Sequence, residues 1–131
     1  MNNWKYKIDI QSASVFDEIE KQYKVKFSNE LREFITENNG ATPEKYHFMI
    51  ENTEKVLGAV LSVNQGESDV DTIYPALSCI ENAEIIPFAI DPFGNYICYS
   101  ITDGTVVFWD HETSAVFSSG TSLSEFIDSL Y

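Results

Sequence analysis

The 131-residue chain is predicted to be an α+β protein: an antiparallel β-meander with N-terminal helices and a C-terminal helix packed on one face of the sheet. Three observations lead there. Apolar residues recur at helical spacing near both ends of the chain. Short apolar runs between residues 84 and 117 are separated by turn residues. No linker, low-complexity stretch or internal repeat divides the sequence, so we expect one domain over residues 1–131.

The first helix is expected from Val15 to Lys24. Ser14 and Asp17 have capping-box spacing, and Phe16, Ile19 and Tyr23 define an apolar face. A second helix spans Asn29 to Asn38, capped by Ser28. Glu30 and Glu33 suit the positive end of its dipole, and Leu31, Phe34 and Ile35 form its buried stripe. Asn39-Gly40 ends it, because both residue types tolerate the left-handed conformation of a helix stop.

Strands follow. Tyr46, Phe48 and Ile50 alternate with His47 and Met49, and Val56 to Val63 is a stronger strand signal. The segment from Glu67 to Ile80 reads as a short helix or as an acidic loop leading into one. Ser68 and Asp71 have capping-box spacing there, but Pro75 must kink or end a helix. Ile85 to Ile90 is an apolar run, and Asp91-Pro92-Phe93-Gly94-Asn95 is a turn. Tyr96 to Ile101 then places Ile97, Tyr99 and Ile101 on one face. Thr102-Asp103-Gly104 turns into Thr105 to Trp109, and His111-Glu112-Thr113-Ser114 turns into Ala115-Val116-Phe117. Three short turns between adjacent runs specify a meander. Ser122 and Glu125 form a further capping box ahead of a helix with Leu123, Phe126, Ile127 and Leu130 on its apolar face.

Composition narrows the class. Apolar residues make up 44% and aromatics 14%, which opposes disorder and favours a packed core. No stretch reaches the ~20 apolar residues of a membrane span, and Met1-Asn2-Asn3-Trp4-Lys5 lacks the pattern of a secretory signal. We therefore expect a cytoplasmic protein. Cys79 and Cys98 sit among apolar neighbours without metal-binding spacing, and are expected to be small buried hydrophobes.

Charge is the most informative quantity. The chain has 21 acidic and 8 basic residues, a formal net charge of −13. All basic residues lie in positions 1–55, where the balance is −2; positions 56–131 hold eleven acids and no Lys or Arg, a balance of −11. Such a field repels nucleic acid and anionic membrane and attracts cationic macromolecules. Specific use and mere solubility both explain it.

Catalytic patterns are missing. The two histidines are His47 and His111, and the sequence holds no nucleophile elbow, H-E-x-x-H helix, Walker loop or dinucleotide fingerprint. Asp110-His111-Glu112 precedes a turn and is read as a solvated hairpin tip rather than a metal or catalytic site. Asp69-Val70-Asp71 offers two oxygen donors but lacks the rest of a calcium loop. No cofactor or metal, and no enzymatic activity, is expected.

Several segments together resemble a known group. Phe27-Ser28-Asn29-Glu30-Leu31-Arg32-Glu33-Phe34-Ile35, ending in Asn38-Asn39-Gly40, is similar to the helix and Asn-Gly signature of the SUKH superfamily. Ile86-Pro87-Phe88-Ala89-Ile90-Asp91 with Gly94-Asn95-Tyr96-Ile97-Cys98 resembles that group's central hairpin. Val106-Val107-Phe108-Trp109-Asp110-His111-Glu112 resembles the following strand, and Ser122-Leu123-Ser124-Glu125-Phe126-Ile127 the terminal helix. The likeness covers residues 15–131; the stretch before Val15 is shorter than in longer members. The resemblance implies a non-enzymatic bacterial immunity protein that binds a cognate polymorphic toxin, in many cases a nuclease. Other members are general interaction domains, which is the alternative. The resemblance carries over no catalytic residues.

A nuclease presents a basic cleft, and an acidic partner can fill it. The candidate partner-binding residues are Glu67, Asp69 and Asp71, with Asp91, Phe93, Asp103, Asp110 and Glu112 at or near the meander turns. Turns at alternate ends of strands need not share a face, so the second group is one patch or two. Phe93 and Trp109 are the candidate aromatic anchors, with Trp109 read more readily as core. No direct nucleic-acid or membrane partner is expected, and self-association stays open.

Overall fold

The computed structural model describes residues 2–131. Strand β1 (Trp4–Lys5) precedes helices α1 (Val15–Tyr23) and α2 (Asn29–Asn38). Strands β2 (Thr42–Pro43), β3 (His47–Ile50), β4 (Thr53–Val56) and β5 (Ala59–Val60) follow, then helix α3 (Ile73–Cys79). The chain closes with β6 (Ile85–Ile90), β7 (Tyr96–Ser100), β8 (Thr105–Trp109), β9 (Val116–Ser122) and helix α4 (Leu123–Ser129). β5 to β9 form a five-stranded antiparallel sheet in chain order, while β1 pairs with β2 and β3 with β4. The fold is α+β with the expected meander.

Both faces of the meander are covered. Ile86, Phe88, Ile97, Tyr99, Val106 and Phe108 join the main core with Phe16, Ile19, Leu31, Ile35 and Phe126 from the helices. On the reverse face Ile85, Cys98, Val107 and Trp109 pack with Ile80, which follows α3, and with Tyr96. This accounts for apolar runs longer than strict alternation allows. A bulge between Pro87 and Ala89 lets both Phe88 and Ala89 enter the main core, and places the proline where the ladder is already interrupted. Ile101 departs from the expected face: it lies past the end of β7, 38% exposed, because the turn has begun.

Helix starts were legible in part. Ser28 accepts the Leu31 N–H at 3.1 Å, and Ser122 and Glu125 form the full capping box with bonds of 3.2 and 3.1 Å. Ser14 does not cap α1; its hydroxyl meets that of Ser12 at 2.8 Å, and Asp17 instead pairs with Arg32 at 3.0 Å. Nor do Ser68 and Asp71 cap α3, which begins after Thr72. Pro75 fits because it sits in the first turn, where its missing N–H has no intrahelical partner to lose.

The expected strand from Val56 to Val63 is divided between two sheets. Gly58 passes so close to Ile90 that a Cβ would lie 2.9 Å from its carbonyl oxygen, and only a glycine can make that switch. β9 runs past Phe117 to Ser122, and its polar, exposed sequence gave no alternation signal. Of the cysteines, Cys98 is buried, which pushes its thiol pKa up, but Cys79 is exposed at the end of α3, contrary to expectation.

Asn39 carries the connection between these parts. It is fully buried and has extended rather than left-handed backbone angles; Gly40 alone takes the left-handed turn. Its carboxamide donates to the Ile8 carbonyl at 3.2 Å and the Ser62 hydroxyl at 3.1 Å, and accepts the Val63 N–H at 2.9 Å. Asn64 extends the network, donating to the Asp9 carbonyl at 2.9 Å and accepting the Gln11 N–H at 2.8 Å.

Asn39→Ala leaves buried groups on both neighbouring segments without partners, and is expected to destabilise the fold by about 2–4 kcal/mol in urea unfolding. A pH effect is expected at α4. The Ser122 backbone N–H, and then its hydroxyl, hold the Glu125 carboxyl below its ordinary value. Its contribution is complete above the unfolded-state pKa and is lost as pH falls through the lower native one. The stability difference between wild type and Glu125→Gln should therefore shrink on acidification, as read from urea midpoints across that range.

Candidate functional site

The meander turns place the candidate residues at two ends of the sheet. The β6–β7 turn (91–95) and the β8–β9 turn (110–115) share one end; the β7–β8 turn lies at the other. The first two are bonded together: the His111 N–H donates to the Asn95 side-chain oxygen at 3.0 Å, and the His111 ring lies over Gly94. A Cβ at Gly94 would sit 3.7 Å from that ring, and the residue's φ of +90° favours glycine.

Phe93 stands at this end, 71% exposed. Asp91 holds it there from inside. Only 5% exposed, Asp91 accepts the Phe93 N–H at 2.8 Å and the Asn95 N–H and side-chain amide at 2.9 Å each. Its carboxylate is consumed by the turn and is not on offer to a partner. Asp110 is half-buried and accepts the Glu112 N–H at 2.8 Å, while Glu112 projects into solvent. Trp109 is buried in the reverse-face cluster, its ring 5.8 Å from that of Tyr96.

Asp103 is remote from Phe93. It is exposed at the opposite end of the strands, where the Thr105 hydroxyl and N–H, at 2.7 and 3.1 Å, hold its carboxyl below the ordinary value. Glu67, Asp69 and Asp71 belong to the loop before α3. Glu67 is half-buried and accepts from the Asn64 amide at 3.3 Å; Asp69 and Asp71 are exposed. Tyr96 stands at the start of β7, directly after the turn that carries Phe93. Burial raises its phenol pKa, and the nearby Cys79, Asp71 and Cys98 raise it further.

One acidic face escaped the sequence reading. Glu30, Glu33 and Glu37 on α2 and Asp128 on α4 line a groove between the two helices. The spacing of the three glutamates, i, i+3 and i+7, was the available signal.

Among the described residues no group of three His, Cys, Asp or Glu side chains converges as a metal site. His47 is occupied by stacking, its ring 4.3 Å from Tyr46 and 5.7 Å from Tyr131. No described helix is long and apolar enough to cross a membrane. What the geometry offers is contact: rigid turns, an exposed aromatic ring and uncompensated carboxylates.

A family model described as SMI1 / KNR4 family (SUKH-1) matches residues 12–129. The chain belongs to that family. Among curated proteins, none matches it. The SUKH-1 match spans all four helices and β2 to β9, so it includes every candidate residue named above.

Asp91→Ala should remove three hydrogen bonds from a buried turn and destabilise this SUKH-1 domain by about 2–3 kcal/mol. The check is urea unfolding, with amide hydrogen exchange at Phe93 and Asn95 accelerated.

Proposed function

We propose that this SUKH-1 chain is a non-enzymatic immunity protein. It acts in the cytoplasm of the bacterium that makes it and neutralises a cognate toxin by binding. The toxin is basic, a nuclease whose phosphate-binding cleft the immunity protein occupies or overlies. The observation that carries this is Phe93, an exposed aromatic ring on a rigid turn beside Asp110 and Glu112, in a segment with no basic side chain from residue 56 onward. Interfaces draw most of their affinity from a few such anchors. Opposite fields steer the encounter and speed association. Asp69 and Asp71, exposed on the loop before α3, are read as a further negative group that steers the same partner.

A second reading is a regulatory interaction domain of the same fold with no toxin partner. Asp103 favours it, because its position at the far end spreads the acidity over more than one surface.

Co-expression with the toxin encoded beside it should rescue growth and yield a co-purifying complex whose association slows as salt rises. Phe93→Ala should weaken that complex by about 10- to 100-fold in surface plasmon resonance. Reversing Asp69 and Asp71 to Lys should lower the association rate about tenfold at low salt while dissociation changes little. Absence of rescue by the wild-type protein rejects the immunity reading in favour of the regulatory one.

A further inference from the structure

We propose that the groove between α2 and α4 is a second docking surface, which takes a basic amphipathic segment of a partner protein. It does not depend on the toxin reading, and it lies away from Phe93. α4 begins directly after Ser122, which pairs with Thr105 at the opposite end of the sheet.

The groove has an apolar floor. Leu123 is buried beneath it, and Phe34 and Ile127 are half-exposed within it, around a volume of about 250 Å³. The floor is rigid: the Phe34 ring meets Trp4 and Phe88 edge-on, at 5.6 and 5.8 Å. A preorganised apolar slot accepts a partner side chain without first paying to order itself.

The walls supply charge complementarity. Glu30, Glu33 and Glu37 fall on one stripe of α2, with Phe34 in the same stripe, and Asp128 faces in from α4. Like charges at this spacing destabilise a helix unless a cation relieves them. Among the described residues, none of the four carboxylates has a Lys, Arg or His within 4.0 Å. Arg32, on the same helix, is engaged elsewhere by Asp17 and Glu20, at 3.0 and 2.9 Å. Among the described residues, the Glu30 carboxylate accepts only the Tyr99 hydroxyl, at 3.3 Å. A segment with one large apolar side chain bracketed by Lys or Arg meets both requirements. The apolar group fills the floor and the cations neutralise the walls. A purely apolar partner satisfies the first requirement and leaves the walls unneutralised; a purely acidic one satisfies neither.

The probe is a synthetic helical peptide with a leucine bracketed by lysines at i−4, i−3, i+3 and i+4, titrated into the ¹⁵N-labelled full chain. Amide shifts should concentrate in residues 30–37 and 123–128. Glu33→Lys with Glu37→Lys, both exposed positions, should weaken binding about tenfold or more, while Asp110→Asn with Glu112→Gln stays within about twofold. A peptide with the leucine changed to serine keeps its charge and should bind several-fold more weakly. Shifts centred on Phe93, equal losses in both protein variants, or equal binding by the serine peptide would each overturn the proposal. The toxin rescue assay with the Glu33→Lys, Glu37→Lys variant tells the two surfaces apart. Rescue should persist, and its loss would assign the groove to the toxin interface and overturn a separate partner.

Discussion

The buried carboxamide of Asn39 is the constraint on which the remaining structure depends. A neutral side chain with both donor and acceptor functions, placed where water is excluded, must find partners on several strands of chain at once. It finds them on the segment before α1, through Ile8, and on the stretch after β5, through Ser62 and Val63. Those bonds set where α2 ends relative to the sheet. They also bring the chain out of β5 toward the acidic loop at a defined point. Gly40 completes the arrangement: a Cβ there would sit 3.1 Å from Ile8. The Asn-Gly pair therefore has two different tasks, polar connection and backbone turn.

The meander divides its labour between strands and turns. The strands bury side chains on both faces, which holds their register and makes the sheet stiff. The turns carry the groups that face solvent, and they are tied down by their own side chains. Asp91 closes one turn, Asp110 another and Asp103 the third, each accepting backbone N–H groups. Acidic residues in such positions do structural work first. Only carboxylates left over from it, such as those on the α2 stripe, present charge that no Lys, Arg or His among the described residues pairs within 4.0 Å.

A balance of −11 over residues 56–131 has a cost as well as a use. Self-repulsion opposes compaction, and the hydrogen-bonded turn carboxylates offset part of it. The same repulsion discourages close association of identical copies and favours a cationic partner. The Phe93 end and the α2–α4 groove answer this in different ways. One is a projecting ring on a turn, the other a recess with charged walls.

Residue order alone determined the elements governed by local physics. α2, α4 and the meander were legible because caps, helical stripes and Gly-marked turns act over a few residues. Ser28, Ser122 and Asp91-Pro92-Phe93-Gly94-Asn95 all act within that range. Tertiary structure decided the rest. Ser14 lost its cap role locally, to a contact with Ser12 two residues before it, whereas Asp17 went to Arg32, a residue fifteen positions away. Gly58 split an apolar run because the Ile90 carbonyl lies against it. Asp91 and Glu112, both turn acids in sequence, differ because one carboxylate faces inward onto N–H groups and the other faces water. Likewise, Glu30, Glu33 and Glu37 become the wall of a groove only once α4 is laid beside α2. Spacing along a chain states what can share a surface; only packing states what lies opposite.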